Sequence, residues 1–415
     1  MSQTQAVHTD SINSQDPNNE GEKKAKSRRP ANTAFRQQRL KAWQPILTPK
    51  TVLPLFFAIG IIFAPIGGLL LYASAQVQEI AIDYSDCLNA PRTFTNISSG
   101  KVSTYFKSST CTQPITPQWK LGSRVVDYSP YGIQLNSSIC SLQFTVPNNI
   151  GPPVLLYYRL TNFYQNHRRY VKSLDSNQLS GDAVPVSTIT KGSCDPLRLG
   201  PKEKPYYPCG LIANSIFNDT FFNPVLTNVK DSAARNRTYN MTNKGIAWDS
   251  DKSLYGKTKY SIENITVPPN WKERWPNGYT ADNPPPDLSN YEEFQVWMRT
   301  AGLPAFSKLA LRNDKEPMDC GTYQVDIALN FPVTEYGGTK SIVISTRTVM
   351  GGKNPFLGIA YIVVAGICVV LGVIFTVTHL IKPRKLGDHT YLSWNNDQPS
   401  TATATGVSRP GNDAA

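Results

Sequence analysis

Histidine is scarce in this chain of 415 residues: there are four copies, and only His167 lies between residues 76 and 354. A Ser-His-Asp triad in that segment would have to use this single ring. His167 stands beside Arg168 and Arg169, an environment that suits a hydrogen-bonded structural imidazole better than a general base. We therefore expect no catalytic residue, and an anchored hydrolase is disfavoured.

Two motifs that would indicate a metal or nucleotide site are also absent from the sequence. None of the seven cysteines is spaced as Cys-x-x-Cys, which argues against a structural zinc site. No glycine-rich GxxxxGK loop is present, so the chain has no nucleotide phosphate site of that type. We expect no metal site and no cofactor.

Charged residues are absent from two long apolar runs, residues 52–75 and 355–381. At about 1.5 Å of helical rise per residue, both runs exceed the roughly 30 Å hydrocarbon core of a bilayer. The first run begins only at residue 52, and it is longer than the ~7–15-residue apolar core of a signal peptide. We expect two transmembrane helices, the first of them an uncleaved anchor.

Basic residues cluster beside both runs. Nine basic and four acidic residues precede the first run, and Lys382, Arg384 and Lys385 directly follow the second. An excess of positive charge beside a span marks its cytosolic side, so both tails are predicted to be cytosolic. The segment between the runs has 29 basic and 23 acidic residues. Its net charge of +6 is half of the net charge of +12 of the whole chain. The tail charges suit anionic lipid headgroups, and we expect no nucleic-acid partner.

Cysteines and glycosylation sequons are concentrated between the two runs. Six cysteines lie there, whereas Cys368 lies within the second run. An even number in a translocated segment fits disulfides formed in an oxidising compartment. All six Asn-x-Ser/Thr sequons lie in the same segment. The predicted N-glycosylation sites are Asn96, Asn136, Asn218, Asn236, Asn240 and Asn264.

The segment between the runs has mainly β-type patterns. Residues 138–146, 154–164, 321–333 and 340–349 are rich in strand-forming residues with partial alternation. One helix is predicted near residues 289–302, capped by Ser289 or Asn290, favoured by Glu292 and Glu293 in its first turn, and ended by Gly302. The proline-rich stretch 268–286 is predicted to be a packed irregular loop.

The predicted fold is a membrane protein with two transmembrane α-helices flanking a large, mainly antiparallel β domain that is lumenal or extracellular and contains minor helices. Residues 76–354 are expected to form one domain. The predicted parts are a disordered cytosolic tail (1–27), a cytosolic interfacial segment (28–51), the first span (52–75), the glycosylated β domain (76–354), the second span (355–381) and a mostly disordered cytosolic tail (382–415).

Small residues recur every seven positions in each span. They are Gly60, Gly67 and Ser74 in the first, with Ala64 and Gly68 beside them, and Gly358, Ala365 and Gly372 in the second. A seven-residue step keeps nearly one helix face, and small residues allow close backbone approach in lipid. The two spans pack on each other, or they dock onto a larger membrane partner. Neither span contains the charged residue that an ion path would need.

The interfacial segment has apolar residues among its basic ones. Phe35, Leu40, Trp43 and Ile46 suggest a short amphipathic piece at the membrane surface. Pro45 and Pro49 would break any helix before the membrane.

Several long motifs resemble one known family. RRPANTAFRQQRLKAWQPILTPKTVLP, PIGGLLLYAS, NHRRYVKS, YYPCGLIANSIFNDTF and FQVWMRTAGLPAFSKLALRND occur in this order between residues 28 and 385. They are similar to the cell division control protein 50 family, also called the ligand-effect modulator family, in its fungal form.

The resemblance implies a non-catalytic accessory subunit and chaperone of a type IV P-type ATPase, a phospholipid flippase. Such a subunit forms a heterodimer with the catalytic subunit and accompanies it from the endoplasmic reticulum to the Golgi, endosome or plasma membrane. The complex moves aminophospholipids to the cytosolic leaflet. The alternative function is a two-span channel subunit with a cysteine-rich ectodomain.

The resemblance also implies site residues. Cys87 would pair with Cys140 and Cys194 with Cys209, while Cys111 and Cys320 would form a third bridge or stay free. Asn218 matches a family glycan site. Partner binding is assigned to the densest part of the resemblance, and the residues are Arg28, Arg29, Phe35, Gln37, Gln38, Arg39 and Trp43.

Overall fold

The structure, a computed structural model, describes residues 33–35, 38–40, 47–107, 115–227, 236–347 and 351–383. The chain divides into two units, Met1–Leu55 with Ile374–Ala415, and Phe56–Val373. All described residues between 76 and 354 lie in the second unit, and we call them the β domain.

Two long apolar helices are the first and last helices of the described chain. Helix α1 is Pro49–Ala75 and helix α8 is Phe356–Ile381, and both are long and apolar enough to span a membrane. Helix α1 begins three residues earlier than predicted. Thr48 and Thr51 bond to each other at its start, where the backbone N–H of Thr48 donates to Thr51 Oγ1 at 3.2 Å. Proline is tolerated in a first helical turn, because the missing N–H has no partner there.

The first sheet of the β domain is antiparallel, in the order β10-β6-β12-β1-β3. Its strands are β1 (Glu79–Asp83), β3 (Val102–Tyr105), β6 (Val154–Leu160), β10 (Phe306–Asn313) and β12 (Lys340–Thr346). Strand β1 follows α1 closely, and β12 precedes α8. The strand ends where β1 begins and β12 ends are therefore the end of the sheet nearest the helices.

The second sheet is also antiparallel, in the order β2-β4-β5-β11-β8-β9, with β7 paired to β11. Its strands are β2 (Thr95–Asn96), β4 (Gln118–Asp127), β5 (Gln134–Val146), β7 (Thr220–Phe221), β8 (Val225–Thr227), β9 (Asn236–Thr238) and β11 (Gly321–Ala328). Aliphatic side chains of both sheets meet in one buried core, to which Ile82, Leu142, Leu156 and Val325 belong. Burial of these apolar surfaces is the main force that holds the sheets together.

The remaining helices are short and lie between strands. They are α2 (Arg168–Lys172), α3 (Ser176–Leu179), α4 (Val186–Lys191), α5 (Leu211–Asn214), α6 (Asp249–Lys252) and α7 (Glu292–Met298). Helices α2, α3, α5 and α7 and residues 268–286 contribute to a second core that is rich in aromatic rings, among them Trp271, Trp275, Phe294 and Trp297. The predicted fold class is correct, with two apolar helices at the ends of a mainly antiparallel β domain that has few helices.

Several predicted boundaries are wrong for identifiable reasons. The strand predicted at 154–164 ends at Leu160, because Asn162 has a left-handed φ of 56° that a strand cannot continue through. The strand predicted at 321–333 ends at Ala328, and the one at 340–349 ends at Thr346. Strand β5 instead begins earlier than predicted, at Gln134, because it pairs along its polar half with β4, which the sequence did not indicate.

The predicted capping of α7 is wrong at both ends. The residue before its first turn is Tyr291, with no capping side chain, and the backbone N–H of Ser289 donates to Asp287 at 3.1 Å. The helix ends at Met298, ahead of Gly302. Nζ of Lys308 donates to the carbonyl oxygens of Val296, Trp297 and Arg299 at 3.0, 2.7 and 2.6 Å, so a distant lysine caps this end.

Candidate functional site

The small-residue stripes of the two long helices face each other. The buried residues of α1 are Gly60, Gly67 and Ser74, and those of α8 are Gly358, Ala365 and Gly372. These are the six positions that the seven-residue repeat singled out. The structure therefore uses both stripes for packing within the chain, which is the first of the two interpretations.

The approach of the helices leaves no room for larger side chains on these stripes. A Cβ atom on Gly60 would lie 2.6 Å from Cγ2 of Val369, and one on Gly67 would lie 2.7 Å from Cγ1 of Ile362. The rings of Phe63 and Tyr361 also meet, with centroids 4.9 Å apart. Such contact gains dispersion energy along the whole interface, which is the main attraction available to helices in lipid.

The remaining faces of the helices are apolar and open. Ile61, Leu69 and Tyr72 of α1 are 70, 69 and 65 % exposed. A Cβ on Gly68, the neighbour of Gly67, would have no atom within 4 Å. This second face is where lipid or another membrane helix can contact the pair.

A buried ion pair lies in the β domain where the two cores meet. Nζ of Lys340 lies 2.7 Å from Oδ2 of Asp219, and their side chains are 4 and 0 % exposed. The Tyr84 hydroxyl donates to the same oxygen at 3.0 Å. The backbone N–H groups of Asn330 and Phe331 donate to Oδ1 of Asp219 at 2.6 Å each. The carboxylate thus has four donors, which is what a buried charge requires.

This cluster joins segments that are far apart in the sequence. Lys340 also donates to the carbonyl of Phe331 at 2.7 Å, so β1, β12, the Asp219 segment and the end of β11 are tied at one point. Burial raises the pKa of Tyr84 well above its usual value, and the nearby Asp219 carboxylate raises it further. Sequence reasoning missed the cluster, because nothing in the sequence signals which distant lysine meets which aspartate.

Lys308 is a second buried cation, 7 % exposed, whose contacts are backbone carbonyls at the end of α7 and the rings of Trp297 and Phe306. Burial, together with the positive charge of Arg299, lowers its pKa to about 7. The sequence did not indicate this residue either.

Two disulfides brace the β domain. Cys87 is bonded to Cys140 and Cys194 to Cys209, with Cα atoms 5.9 and 5.6 Å apart. The first fastens the segment after β1 to the middle of β5, across the two sheets. Cys320 is disulfide-bonded as well, whereas Cys111 lies outside the described residues. Cys368, within α8, is not in a disulfide.

Five of the six sequon asparagines are exposed. Asn218 is the exception: it is half-buried, and its Oδ1 is enclosed with no hydrogen-bond partner in the described chain. Its backbone oxygen accepts a bond of 2.9 Å from Arg274. The fold therefore surrounds this asparagine while leaving the other five on the surface.

The predicted partner-binding segment is described only in part. Phe35 is 76 % exposed, and Gln38 and Arg39 are also exposed. The backbone N–H of Gln38 donates to the carbonyl of Phe35 at 3.1 Å, and Gln38 has a left-handed φ of 54°. These residues form a turn. Arg28, Arg29, Gln37 and Trp43 lie outside the described residues.

His167 has a structural function. Its Nδ1 accepts the backbone N–H of Arg169 at 3.3 Å and caps the start of α2. No group of three or more His, Cys, Asp or Glu side chains suited to a metal occurs in the part of the chain that the structure describes.

The chain matches known proteins along most of its length. The model of the LEM3 (ligand-effect modulator 3) family, also called the CDC50 family, matches residues 70–385. The phospholipid-transporting ATPase accessory subunit CDC50 of Chaetomium thermophilum is 47 % identical over 382 residues, 91 % of this chain and 93 % of the relative.

Two further relatives extend the comparison. The phospholipid-transporting ATPase accessory subunit CRF1 of Saccharomyces cerevisiae is 46 % identical over 93 % of this chain and 94 % of its own length. Cell cycle control protein 50A of Mus musculus is 41 % identical over 85 % of this chain and 90 % of its own. The family model covers the end of α1, the β domain and α8.

Proposed function

The chain belongs to the LEM3/CDC50 family, and from this premise we propose that it is the non-catalytic accessory subunit of a phospholipid-transporting ATPase. The family resemblance predicted from the sequence motifs is confirmed. The observation that carries the proposal is identity of 46–47 % with two such accessory subunits over more than nine-tenths of each chain. The matched regions span 93 and 94 % of the lengths of those relatives.

The geometry is that of a binding subunit. The helix pair buries its small-residue stripes internally and leaves an apolar face of each helix open. That face fits contact with the membrane helices of a larger ATPase. The chain is an integral membrane protein and forms a heterodimer with the catalytic subunit, which supplies the ATP chemistry.

The orientation of the chain is part of the same proposal. The basic residues that flank both spans support cytosolic termini and a translocated β domain. The disulfides support an oxidising compartment. We expect the chain to leave the endoplasmic reticulum with its partner for the Golgi, endosome or plasma membrane, and the complex to move aminophospholipids to the cytosolic leaflet.

Topology is tested in sealed microsomes. Protease added outside should spare residues 96–264, and glycosidase should lower the apparent mass if sequons such as Asn136 and Asn264 are occupied. Digestion of that region from the cytosolic side would contradict the orientation.

Contact of residues 28–51 with the partner is a further part of the proposal. Arginine and aromatic side chains are common interface anchors, and Phe35 is 76 % exposed in its turn. The competing explanation is adsorption of this segment to anionic lipid. Scrambling residues 31–44 at constant composition should keep the topology and lower coupled lipid transport. Unchanged transport and copurification would leave only lipid adsorption.

Copurification tests the function as a whole. The tagged full chain, extracted in mild detergent, should bring down a large P-type ATPase in equal amount. A homotrimer that conducts current in planar bilayers would contradict the proposal and support the channel alternative.

A further inference from the structure

A cavity of about 380 Å³ lies inside the β domain, between the aliphatic and aromatic cores. Tyr158 of β6, Phe217, and the stretch of β10 around Ala310 form part of its wall. Strand β10 has a register shift between Leu309 and Leu311, at the cavity wall. Bulges of this kind re-aim side chains and are frequent beside binding sites. The volume is in the usual range of small-molecule sites, roughly 300–1,000 Å³.

One hydroxyl in this wall makes no hydrogen bond to another residue of the described chain. Tyr158 is 5 % exposed, and its ring stacks on Phe217 with centroids 3.9 Å apart. Its hydroxyl makes no hydrogen bond to any residue in the described chain, whereas the nearby Tyr170 hydroxyl pairs with Ser215 at 2.8 Å. The Tyr158 side chain lines the cavity, and its oxygen is not enclosed by protein. Tyr158 is therefore positioned to bond to something inside the cavity.

Five charged side chains line the same cavity: Asp127, Asp219, Lys244, Arg274 and Glu293. Asp219 is paired with Lys340, whereas Arg274 and Glu293 form no ion pair in the described chain. The carboxylate of Glu293 accepts a bond from Asn243. The guanidinium of Arg274 lies 4.3 Å over the ring of Tyr128. The rings of Tyr131 and Tyr291 also line the cavity, with centroids 4.4 Å apart. Aromatic faces attract ammonium groups, especially beside a carboxylate.

We propose that this cavity binds a small zwitterion, a molecule with an ammonium group and an acidic group a few bonds apart. The ammonium group lies against Glu293 and the rings of Tyr131 and Tyr291. The acidic group lies against Arg274, and the Tyr158 hydroxyl donates to it. Glu293 and Arg274 then each have an opposite charge within the cavity, and the Tyr158 hydroxyl has an acceptor.

The position of the cavity favours a dissolved zwitterion over a lipid headgroup. In β12, Thr346 pairs with Val154 at the edge nearest α8, whereas Ile342 pairs with Tyr158. Four residues of strand correspond to about 13 Å. Tyr158 is thus well above the edge of the domain that faces the membrane, and a lipid with its chains in the bilayer would not extend its headgroup that far.

Phosphoethanolamine is the probe, because its ammonium and phosphate groups are separated by two carbons. Calorimetric titration of the detergent-purified full chain should give saturable binding with a one-to-one ratio. Ethanolamine alone and inorganic phosphate alone should bind at least about tenfold more weakly, as each lacks one charged contact. No saturable binding of phosphoethanolamine at millimolar concentration overturns the proposal.

Variants locate the binding in this cavity. Tyr158→Phe should weaken binding of phosphoethanolamine by about tenfold, the loss expected for one hydrogen bond to a charged group. It should not lower the unfolding temperature without the probe, since the removed hydroxyl has no protein partner. The control Tyr164→Phe, at a 56 % exposed tyrosine outside the cavity, should bind normally. Equal affinity in wild type and Tyr158→Phe overturns the assignment.

The source of the zwitterion is tested in nanodiscs. Affinity for phosphoethanolamine should be the same in discs of phosphatidylcholine with and without phosphatidylethanolamine. Competition by the second lipid would show that an anchored headgroup reaches the cavity, which would overturn the assignment to a dissolved ligand.

Discussion

The helix pair and the β domain are each stabilised by a different kind of contact. Contact between α1 and α8 runs along glycine, alanine and serine, with no charged side chain between them. The β domain has a fully buried ion pair, a buried lysine and disulfides. In lipid, apolar burial gives helices no advantage, so close approach determines the contact. In water, apolar burial drives folding, and buried polar groups need defined partners.

The difference determines how each region tolerates change. The helix contact depends on the absence of atoms at a few positions, so adding atoms should disrupt it. The centre of the β domain depends on matched charges, so removing one member should disrupt it. The predictions that follow are arranged from the largest expected effect to the smallest.

Neutralising Asp219 should have the largest effect. Asp219→Asn keeps the volume and the Asn-x-Thr sequon but leaves the Lys340 ammonium buried without a counter-charge. Breaking one side of a buried pair costs about 3–5 kcal/mol. Asp182→Asn is the matched control, because Asp182 pairs with Lys259 at 2.8 Å on the surface, where the side chains are 56 and 72 % exposed. Exposed pairs contribute about 0–1 kcal/mol.

The measurement is thermal unfolding of the detergent-purified complex. Equal unfolding temperatures for the two variants would mean that the buried pair does not specify the β domain. Asp219→Leu combined with Lys340→Met should recover part of the loss, because no charge is then left unpaired.

Removing the Cys194–Cys209 bridge should have the next largest effect. The bridge spans 15 residues, and closing a loop of that length stabilises by about 3 kcal/mol. Cys194→Ser should lower the unfolding temperature and retain both subunits in the endoplasmic reticulum, as seen by glycan processing and microscopy. Cys368→Ser, at a cysteine outside any disulfide, should leave both unchanged. Normal export of Cys194→Ser would contradict a structural function for the bridge.

Enlarging a glycine tests the helix pair. Gly67→Val places atoms where a Cβ is already 2.7 Å from Ile362 and 3.0 Å from the carbonyl oxygen of Gly358. Overpacking of this kind costs about 1–3 kcal/mol. Gly68→Val, one residue along, enters open space and should leave the pair intact. Cross-linking of cysteines placed at the ends of α1 and α8 measures the packing. Equal cross-linking in Gly67→Val and Gly68→Val would contradict close packing of α1 against α8 at Gly67.

Gly68→Val also examines the open face. Loss of the ATPase from this variant, with normal cross-linking between the helices, would identify the Gly68 side as a partner contact. Normal copurification would assign that face to lipid.

The smallest effect concerns pH. Burial holds the pKa of Lys308 at about 7 in the folded protein, below the value of about 10.4 in an unfolded chain. Between these values the unfolded state binds more protons, so stability rises with pH. Below pH 7 both states are protonated and the contribution is flat. The unfolding temperature of wild type should therefore rise from pH 7 to pH 9 relative to Lys308→Met. Parallel pH profiles would contradict this.

Prediction from the sequence was most accurate for the helix pair. A helix has one period, so Gly60, Gly67 and Ser74 indicate a common face wherever the partner lies. The sequence left open whether the face meets the other span or another protein, because both use small residues. The structure separates these possibilities, because the stripes of α1 and α8 contact each other.

Prediction was less accurate in the β domain, where contacts join distant residues. The strand-forming residues after Ala328 suggested a longer β11, yet the N–H groups of Asn330 and Phe331 bond to Asp219 instead of a strand. The pairing of Lys340 with Asp219 depends on how whole strands pair. The cavity beside Tyr158 has no sequence signal either, since its wall is assembled from seven separate stretches of chain.

Reconstituted transport tests the account most directly. Proteoliposomes are prepared with the ATPase copurified with this chain, with the same ATPase made without it, and with the chain alone, and ATP-dependent movement of a fluorescent phospholipid is measured. We predict transport with the complex, little with the ATPase made alone, and none with the chain alone. Full transport by the ATPase made without the chain, or any current or transport by the chain alone, would contradict its assignment as an accessory subunit.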